Sequence, residues 1–276
     1  MYRLLAPSRG APVVPRDGGG PALIAVAHGS RDPRSATTMA AVVARVAAAR
    51  PDIAVRLAFL DLNEPALADV VDDLATAGHT EVIVVPLLLG NAFHARVDLP
   101  ALLTAAAHHH PRLRLTQAPV LGPDPLLLSA LADRVAAVCP MPAPCGTLPL
   151  SVVPSTGSPE SFGIAVAAVG SRDAAANRRS AVVARRLADL TGCPTEICFA
   201  TVEPGVEWAV ERLRARGAER IAVAPWFLAP GLLTDRLVAA APGVVHAEVI
   251  GAHPALVSVI WARYDGAVTT DLELSA

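Results

Sequence analysis

Short, uninterrupted apolar runs alternate along the chain with longer segments in which apolar residues recur at helical spacing. The runs ALIAVA at 22–27 and VIVVPLL at 82–88 are typical of strands that are buried on both faces of a sheet. The segments 33–50 and 65–77 have the helical period, and the second is followed by Gly78, a residue that commonly ends helices. Strands that alternate with helices of this length predict a parallel sheet with right-handed crossovers.

The same alternation continues through the first half of the chain and then starts again. Further strands are predicted at 53–60 and 113–120, and further helices at 98–108 and 124–138. The second half is predicted to form strands at 163–168, 195–202, 220–225 and 244–250 and helices at 174–190, 204–216, 232–240 and 254–264. We therefore predict a disordered extension at 1–20, a domain at 21–138, a Pro- and Ser-rich linker at 139–161, a second domain at 162–266 and a tail at 267–276.

The two halves repeat one another. The segment AHGSRD at 27–32 returns as AVGSRD at 168–173, directly after a short apolar run in each case. Three more pairs of segments match in the same order, namely 64–65 with 203–204, 86–89 with 225–228, and 121–125 with 250–254. The sequence thus predicts an α/β protein made of two tandem domains, each with a four-stranded parallel sheet flanked by helices.

Polar side chains that can bind a metal follow three strands of the first half. His28 comes directly after the first strand, Glu64 just after the second, and His94 a few residues beyond the third. Because the carboxyl ends of parallel strands meet at one edge of a sheet, we expect these three side chains to share a site there. Two imidazoles and a carboxylate suit a divalent ion such as Fe²⁺, Co²⁺, Ni²⁺ or Zn²⁺.

The second half lacks both histidines. Val169 replaces His28, and Leu233 replaces His94 when positions are counted from the paired prolines. The joint loss indicates that the two histidines serve one function, located in the first half. Glu64 has a surviving counterpart in Glu203, so it also fits a structural role as a carboxylate in the first turn of a helix.

The shared loop residues have a structural and a binding interpretation. Gly29 permits a tight turn or a positive φ, and Ser30 or Asp32 can cap the helix that begins near Pro33. Ser30, Arg31 and the amides of that helix start also predict an anion site. Arg96 can pair either with a carboxylate of the substrate or with Asp98. We assign the three histidines at 108–110 to the solvated end of a helix.

Composition narrows the class of protein. The formal net charge of −2 gives no electrostatic footprint for nucleic acid. No uncharged apolar run reaches the roughly 18 residues of a membrane span, and residues 1–20 lack the apolar core of a signal peptide. The four cysteines form no C-x-x-C pair, which favours a reduced, cytoplasmic chain without a zinc ribbon.

These motifs together resemble the sirohydrochlorin chelatase family. The resemblance rests on AHGSRD after the opening strand, on the Glu-Pro pair after the second, and above all on VPLLLGNAFHARVDLP at 85–100. It covers about 23–138 well and 163–264 as a degenerate second copy. It implies a class II chelatase fold and insertion of Fe²⁺ or Co²⁺ into sirohydrochlorin, for sirohaem or cobalamin, with His28, His94 and Glu64 as catalytic and metal-binding residues.

The resemblance also implies how the substrate is bound and what the second domain does. Ser30, Arg31 and Arg96 would bind the carboxylates of the tetrapyrrole, no prosthetic group is needed, and the second domain would close the cleft so that a monomer forms a pseudo-dimer. Two alternatives stay open. One is a tetrapyrrole or metal carrier without turnover; the other is a histidine phosphatase-like enzyme, although Ala27 stands where that family has a phosphate-binding Arg.

Overall fold

Two four-stranded parallel sheets form the centre of the protein. The computed structural model describes residues 20–90, 97–139 and 161–275. The elements of the first repeat are β1 (Ala22–Ala27), α1 (Pro33–Ala49), β2 (Val55–Phe59), α2 (Leu67–Thr76), β3 (Glu81–Pro86), α3 (Leu99–His109), β4 (Arg114–Gln117) and α4 (Pro125–Val138). Those of the second are β5 (Phe162–Ala168), α5 (Ala174–Thr191), β6 (Thr195–Phe199), α6 (Val206–Ala215), β7 (Arg220–Pro225), α7 (Leu232–Ala240), β8 (Val245–His246) and α8 (Pro254–Ser275).

The strand order confirms the predicted duplication. It is β2-β1-β3-β4 in the first sheet and β6-β5-β7-β8 in the second, and neighbouring strands in both sheets run parallel. All six residues of β1 are buried, as expected of a central strand covered on both faces. The predicted fold class is therefore confirmed.

The structure differs from the sequence prediction at the carboxyl end of the second repeat. β8, predicted at 244–250, is only two residues long, and beyond it the amide of Ile250 donates to Phe227 in the loop after β7 (3.0 Å). α8, predicted to end at Tyr264, continues to Ser275. Its extra turns have a surface to pack on, since Ala267 is buried and Val268 packs against the core. The extension predicted at 1–20 lies, apart from Gly20, outside the described residues, as does most of the predicted linker.

The last helix of each repeat covers the sheet of the other repeat. α4 packs against α5 and β7, whereas α8 packs against α1, β3 and β4. Arg263 of α8 donates to the carbonyl oxygens of Val120 and Leu121 (both 3.0 Å), and Tyr264 Oη donates to that of Pro21 (2.6 Å). One apolar cluster runs through both repeats as a result, while each repeat also has a separate cluster of its own. The sequence repeats and the packed units are therefore not the same.

Candidate active site at the carboxyl edge of the first sheet

His28 lies one residue beyond β1, at the carboxyl edge of the first sheet. The residue is half-buried, and its backbone oxygen accepts a hydrogen bond from the amide of Asp61 (3.1 Å). His28 Nδ1 lies 3.2 Å from the carbonyl oxygen of Gly29, which accepts a hydrogen bond when Nδ1 carries the proton. In that tautomer the lone pair available to a metal ion is on Nε2.

Gly29 allows the loop after β1 to lie against the loop after β2. Its φ is +96°, a conformation that side chains disfavour. A Cβ at this position would lie 1.8 Å from the backbone oxygen of Asp61. The close approach brings the loop that carries His28 beside the loop that carries Glu64.

A chain of hydrogen bonds fixes the segment between His28 and α1. The Ser30 amide donates to Asn63 Oδ1 (2.7 Å), the Asp32 amide donates to Ser30 Oγ (3.1 Å), and the Arg34 amide donates to Asp32 Oδ1 (3.0 Å). Asp32 is thus the helix cap, and the hydrogen bonds from Arg34 lower the pKa of its carboxyl group. Because these three amides already have partners, the anion site predicted here would depend on side chains, above all on the exposed Arg31.

Glu64 is exposed and takes part in the start of α2. Its carboxylate accepts a hydrogen bond from the Ala66 amide (3.2 Å). In the second repeat Glu203 accepts from the Gly205 amide in the same way (2.8 Å). Both glutamates thus lie two residues before the N-cap of the helix, rather than in its first turn as the sequence predicts, because α2 begins at Leu67 and α6 at Val206. Each still has a structural role as acceptor for the N-cap amide, and any metal-binding role of Glu64 is additional to it.

The second repeat copies much of the backbone of this site but lacks counterparts of His28 and Asn63. Thr201 donates its amide to the Val169 oxygen (3.0 Å), which matches the bond between Asp61 and His28. The loop after β6 is one residue shorter than the loop after β2 and has no asparagine, so the amide of Ser171 instead donates to Asn177 Oδ1 in α5 (2.8 Å). Sequence reasoning missed Asn63; the available signal was that DLN precedes Glu64-Pro65, whereas TV precedes Glu203-Pro204.

Two of the predicted site residues, His94 and Arg96, lie outside the described residues. Within the part of the chain that the structure describes, no group of three His, Cys, Asp or Glu side chains is arranged to hold a metal ion. The histidines at 108–110 end α3, at the opposite edge of the sheet, where His110 Nε2 lies 2.6 Å from Asp72. The described part of the predicted metal site is thus His28 together with Glu64.

Comparison with known proteins places this arrangement in a family. The family model described as CbiX matches the chain twice, over residues 22–138 and 163–267. The chain belongs to the CbiX family. The two matched regions are the two repeats, so the second repeat, which lacks the histidines, is also a recognisable CbiX unit.

Curated relatives of this CbiX protein are named for metal insertion. It is 26% identical to a sirohydrochlorin cobaltochelatase of Priestia megaterium over 218 residues, which span 77% of this chain and 65% of the relative. It is 30% identical to a sirohydrochlorin ferrochelatase of Bacillus subtilis over 114 residues, 41% of this chain and 44% of the relative. The match therefore spans less than two thirds of either relative, and the two differ in the metal named.

Solved structures agree with the fold. SirB from Bacillus subtilis with Fe³⁺ superimposes with a TM-score of 0.71, at 23% identity, over 91% of this chain and 96% of that one. A CbiX structure described as the terminal enzyme of sirohaem biosynthesis in denitrifying bacteria gives a TM-score of 0.61 at 24% identity, over 89% and 99% of the two chains. Among the described residues, no helix has the length and apolarity needed to cross a bilayer.

Proposed function

We propose that this CbiX-family protein is a sirohydrochlorin chelatase, which inserts Fe²⁺ or Co²⁺ into sirohydrochlorin with release of two protons. One observation carries the proposal. The two repeats share the backbone hydrogen bonds of the loop after the first strand, yet one repeat has His28 there and the other has Val169. A position that keeps its backbone and changes its chemistry points to a metal-binding role in the first repeat only.

The side chains of the first repeat fit the needs of this reaction. Metallation removes two pyrrole N–H protons, and imidazole accepts protons near neutral pH. In our proposal His28 and His94 hold the incoming ion, and Glu64 balances charge or relays protons. Ser30, Arg31 and Arg96 bind the substrate's carboxylates. The ion must leave for the macrocycle, so a sparse and open set of ligands serves better than a closed cage.

The proposal also covers the assembly of the enzyme, the role of the metal ion, the pathway and the cellular location. The two repeats pack as a pseudo-dimer within one chain, with His28 at the sheet edge of the first, and the metal ion is a substrate rather than a resident cofactor. Nitrogen and oxygen ligands of this kind bind Fe²⁺ and Co²⁺ alike, so the product serves either sirohaem or cobalamin. The three described cysteines are free thiols, which fits the cytoplasm that we propose as its location.

Turnover is the test. In anaerobic absorbance spectra, each protein chain should convert many equivalents of sirohydrochlorin to the Fe²⁺ or Co²⁺ product. Competition between the two ions at limiting metal concentration shows which one is inserted faster. His28→Ala and His94→Ala should each abolish most of the insertion while circular dichroism stays unchanged. Val169→Ala is the matched control, and it should keep full activity.

Two results would contradict the proposal. Binding of one equivalent of sirohydrochlorin or metal without turnover would indicate a carrier. Equal activity of His28→Ala and Val169→Ala would show that the first repeat does not use its histidine.

A further inference from the structure

An ion pair joins the candidate metal loop to the second repeat. Arg34, in the first turn of α1, donates from Nη1 and Nη2 to the two carboxylate oxygens of Asp235 in α7 (3.1 and 2.5 Å). The same guanidinium donates from Nε and Nη2 to the carboxylate of Asp32 (3.0, 3.2 and 2.5 Å). Arg34 therefore holds one carboxylate from each repeat in a fixed geometry.

The contact continues directly into the candidate site. Asp32 is buried, with 7% of its side chain exposed, and it fixes the end of the loop that begins with His28. From Asp32 the hydrogen bonds run through Ser30 to Asn63, in the loop that also carries Glu64. A continuous chain of polar contacts thus leads from Asp235 to both of the loops that carry described site residues.

A similar ion pair lies at the other end of α1, away from the candidate site. Arg50, which follows α1, donates from both Nη atoms to the carboxylate of Asp265 in α8 (2.6 Å each). The two pairs have comparable exposure, 49% and 53% for Arg34 and Asp235 against 37% and 50% for Arg50 and Asp265. Both join the first repeat to the second. Arg50 also stacks on the ring of Trp261 in α8 (4.3 Å from Cζ to the ring centroid), whereas Arg34 also binds Asp32, which leads to the His28 loop.

We propose that Asp235 is a positioning residue for the His28 loop and acts through Arg34. The inference rests on the proposed function for its effect on catalysis. The second repeat would then do more than complete the core, because it would supply a group that sets the geometry of the metal loop. Small displacements of a reacting group lower the rate of a reaction steeply, so an exposed pair with little effect on stability can have a large effect on turnover.

The test compares Asp235→Ala with Asp265→Ala. We expect Asp235→Ala to lower kcat by about tenfold with KM changed by less than about twofold, and Asp265→Ala to leave both unchanged. Asp235→Glu, which keeps the carboxylate, should recover part of kcat. In an Arg34→Ala background, Asp235→Ala should have no further effect, because the path through Arg34 is already broken.

Hydrogen exchange supplies a readout that does not depend on turnover. The amides of Ser30, Asp32 and Arg34 should exchange faster in Asp235→Ala than in Asp265→Ala, as followed by mass spectrometry of peptides covering 28–36. If exchange changes in this way but the wild-type protein inserts no metal, the positioning role stands and the proposed function fails. If the wild-type protein is active and the two variants match in kcat and exchange, the positioning role is refuted.

Discussion

Gly29→Ala is the substitution for which the structure gives the most specific expectation. The new Cβ would meet the backbone oxygen of Asp61 at 1.8 Å and its carbonyl carbon at 2.9 Å. Backbone atoms cannot turn aside as a flexible side chain can. The two loops must therefore separate by about 1.2 Å before this contact reaches even 3.0 Å.

The cost has two parts. A positive φ of +96° is disfavoured for alanine relative to glycine by about 1–2 kcal/mol. Forced separation of packed loops adds about 1–3 kcal/mol, as for other overpacked positions. We therefore expect Gly29→Ala to lower the free energy of unfolding by about 2–5 kcal/mol and to move the loop of His28 away from the loop of Glu64, with loss of most metal insertion.

Two other glycines separate these contributions. Gly78 has a φ of +88° and open space where a Cβ would lie, so Gly78→Ala should cost only the conformational part, about 1–2 kcal/mol. Gly170 is the counterpart of Gly29 in the second repeat, and a Cβ there would contact the side chains of Phe199, Thr201 and Val202 at 2.8–3.0 Å. Gly170→Ala should fall between the other two, and both control variants should keep their activity.

Urea denaturation of the three variants, alongside metal insertion assays, measures both effects. We expect Gly78→Ala to destabilise the protein least, Gly170→Ala more, and Gly29→Ala most. If Gly29→Ala unfolds at the same urea concentration as Gly78→Ala, the loops do not approach one another as described. If it is destabilised but fully active, their approach does not matter for the reaction.

Three further predictions concern single side chains. Glu64→Gln and Glu203→Gln should each destabilise by about 0.5–1 kcal/mol because each weakens a bond to a helix-start amide, but only Glu64→Gln should slow insertion; equal activities would leave Glu64 purely structural. Burial raises the pKa of Tyr264 to about 12, so the protonated phenol stabilises the fold fully below pH 10, and this stabilisation should be lost as the pH rises from 10 to 12. Denaturation curves of Tyr264→Phe should lack this loss. Burial likewise raises the pKa of Cys198 to about 12, so Ellman's reagent should label the native protein to the same extent with and without Cys198→Ser; a fast phase lost in that variant would contradict its burial.

Most of the fold could be predicted from short stretches of sequence, because the residues within each helix, strand or turn indicate its structure. The apolar run of β1, the capping Asp32 and the glycine at 29 are all features of consecutive residues, and each has the structure that its type favours. The duplication added information that one copy alone lacks. Comparing His28 with Val169 identified which half differs in chemistry.

Features that depend on distant partners could not be predicted in this way. The apolar faces of α4 and α8 indicate that each helix packs on something, but helical periodicity does not say on which sheet. The role of Asn63 depends on the Ser30 amide, 33 positions earlier in the chain. Arg34 and Asp235 are separated by 201 residues, so their pairing required the packing of the two repeats.

The exchange of terminal helices determines what each half of the chain can do alone. A cut within 140–160 would leave the first fragment with a sheet that has lost the cover of α8, and with a helix, α4, that has lost its packing against α5 and β7. The second fragment would carry α8, whose Leu256, Val259 and Ile260 are fully buried in the intact protein. Each fragment holds the missing cover of the other, so they should aggregate when produced separately and restore one another when mixed.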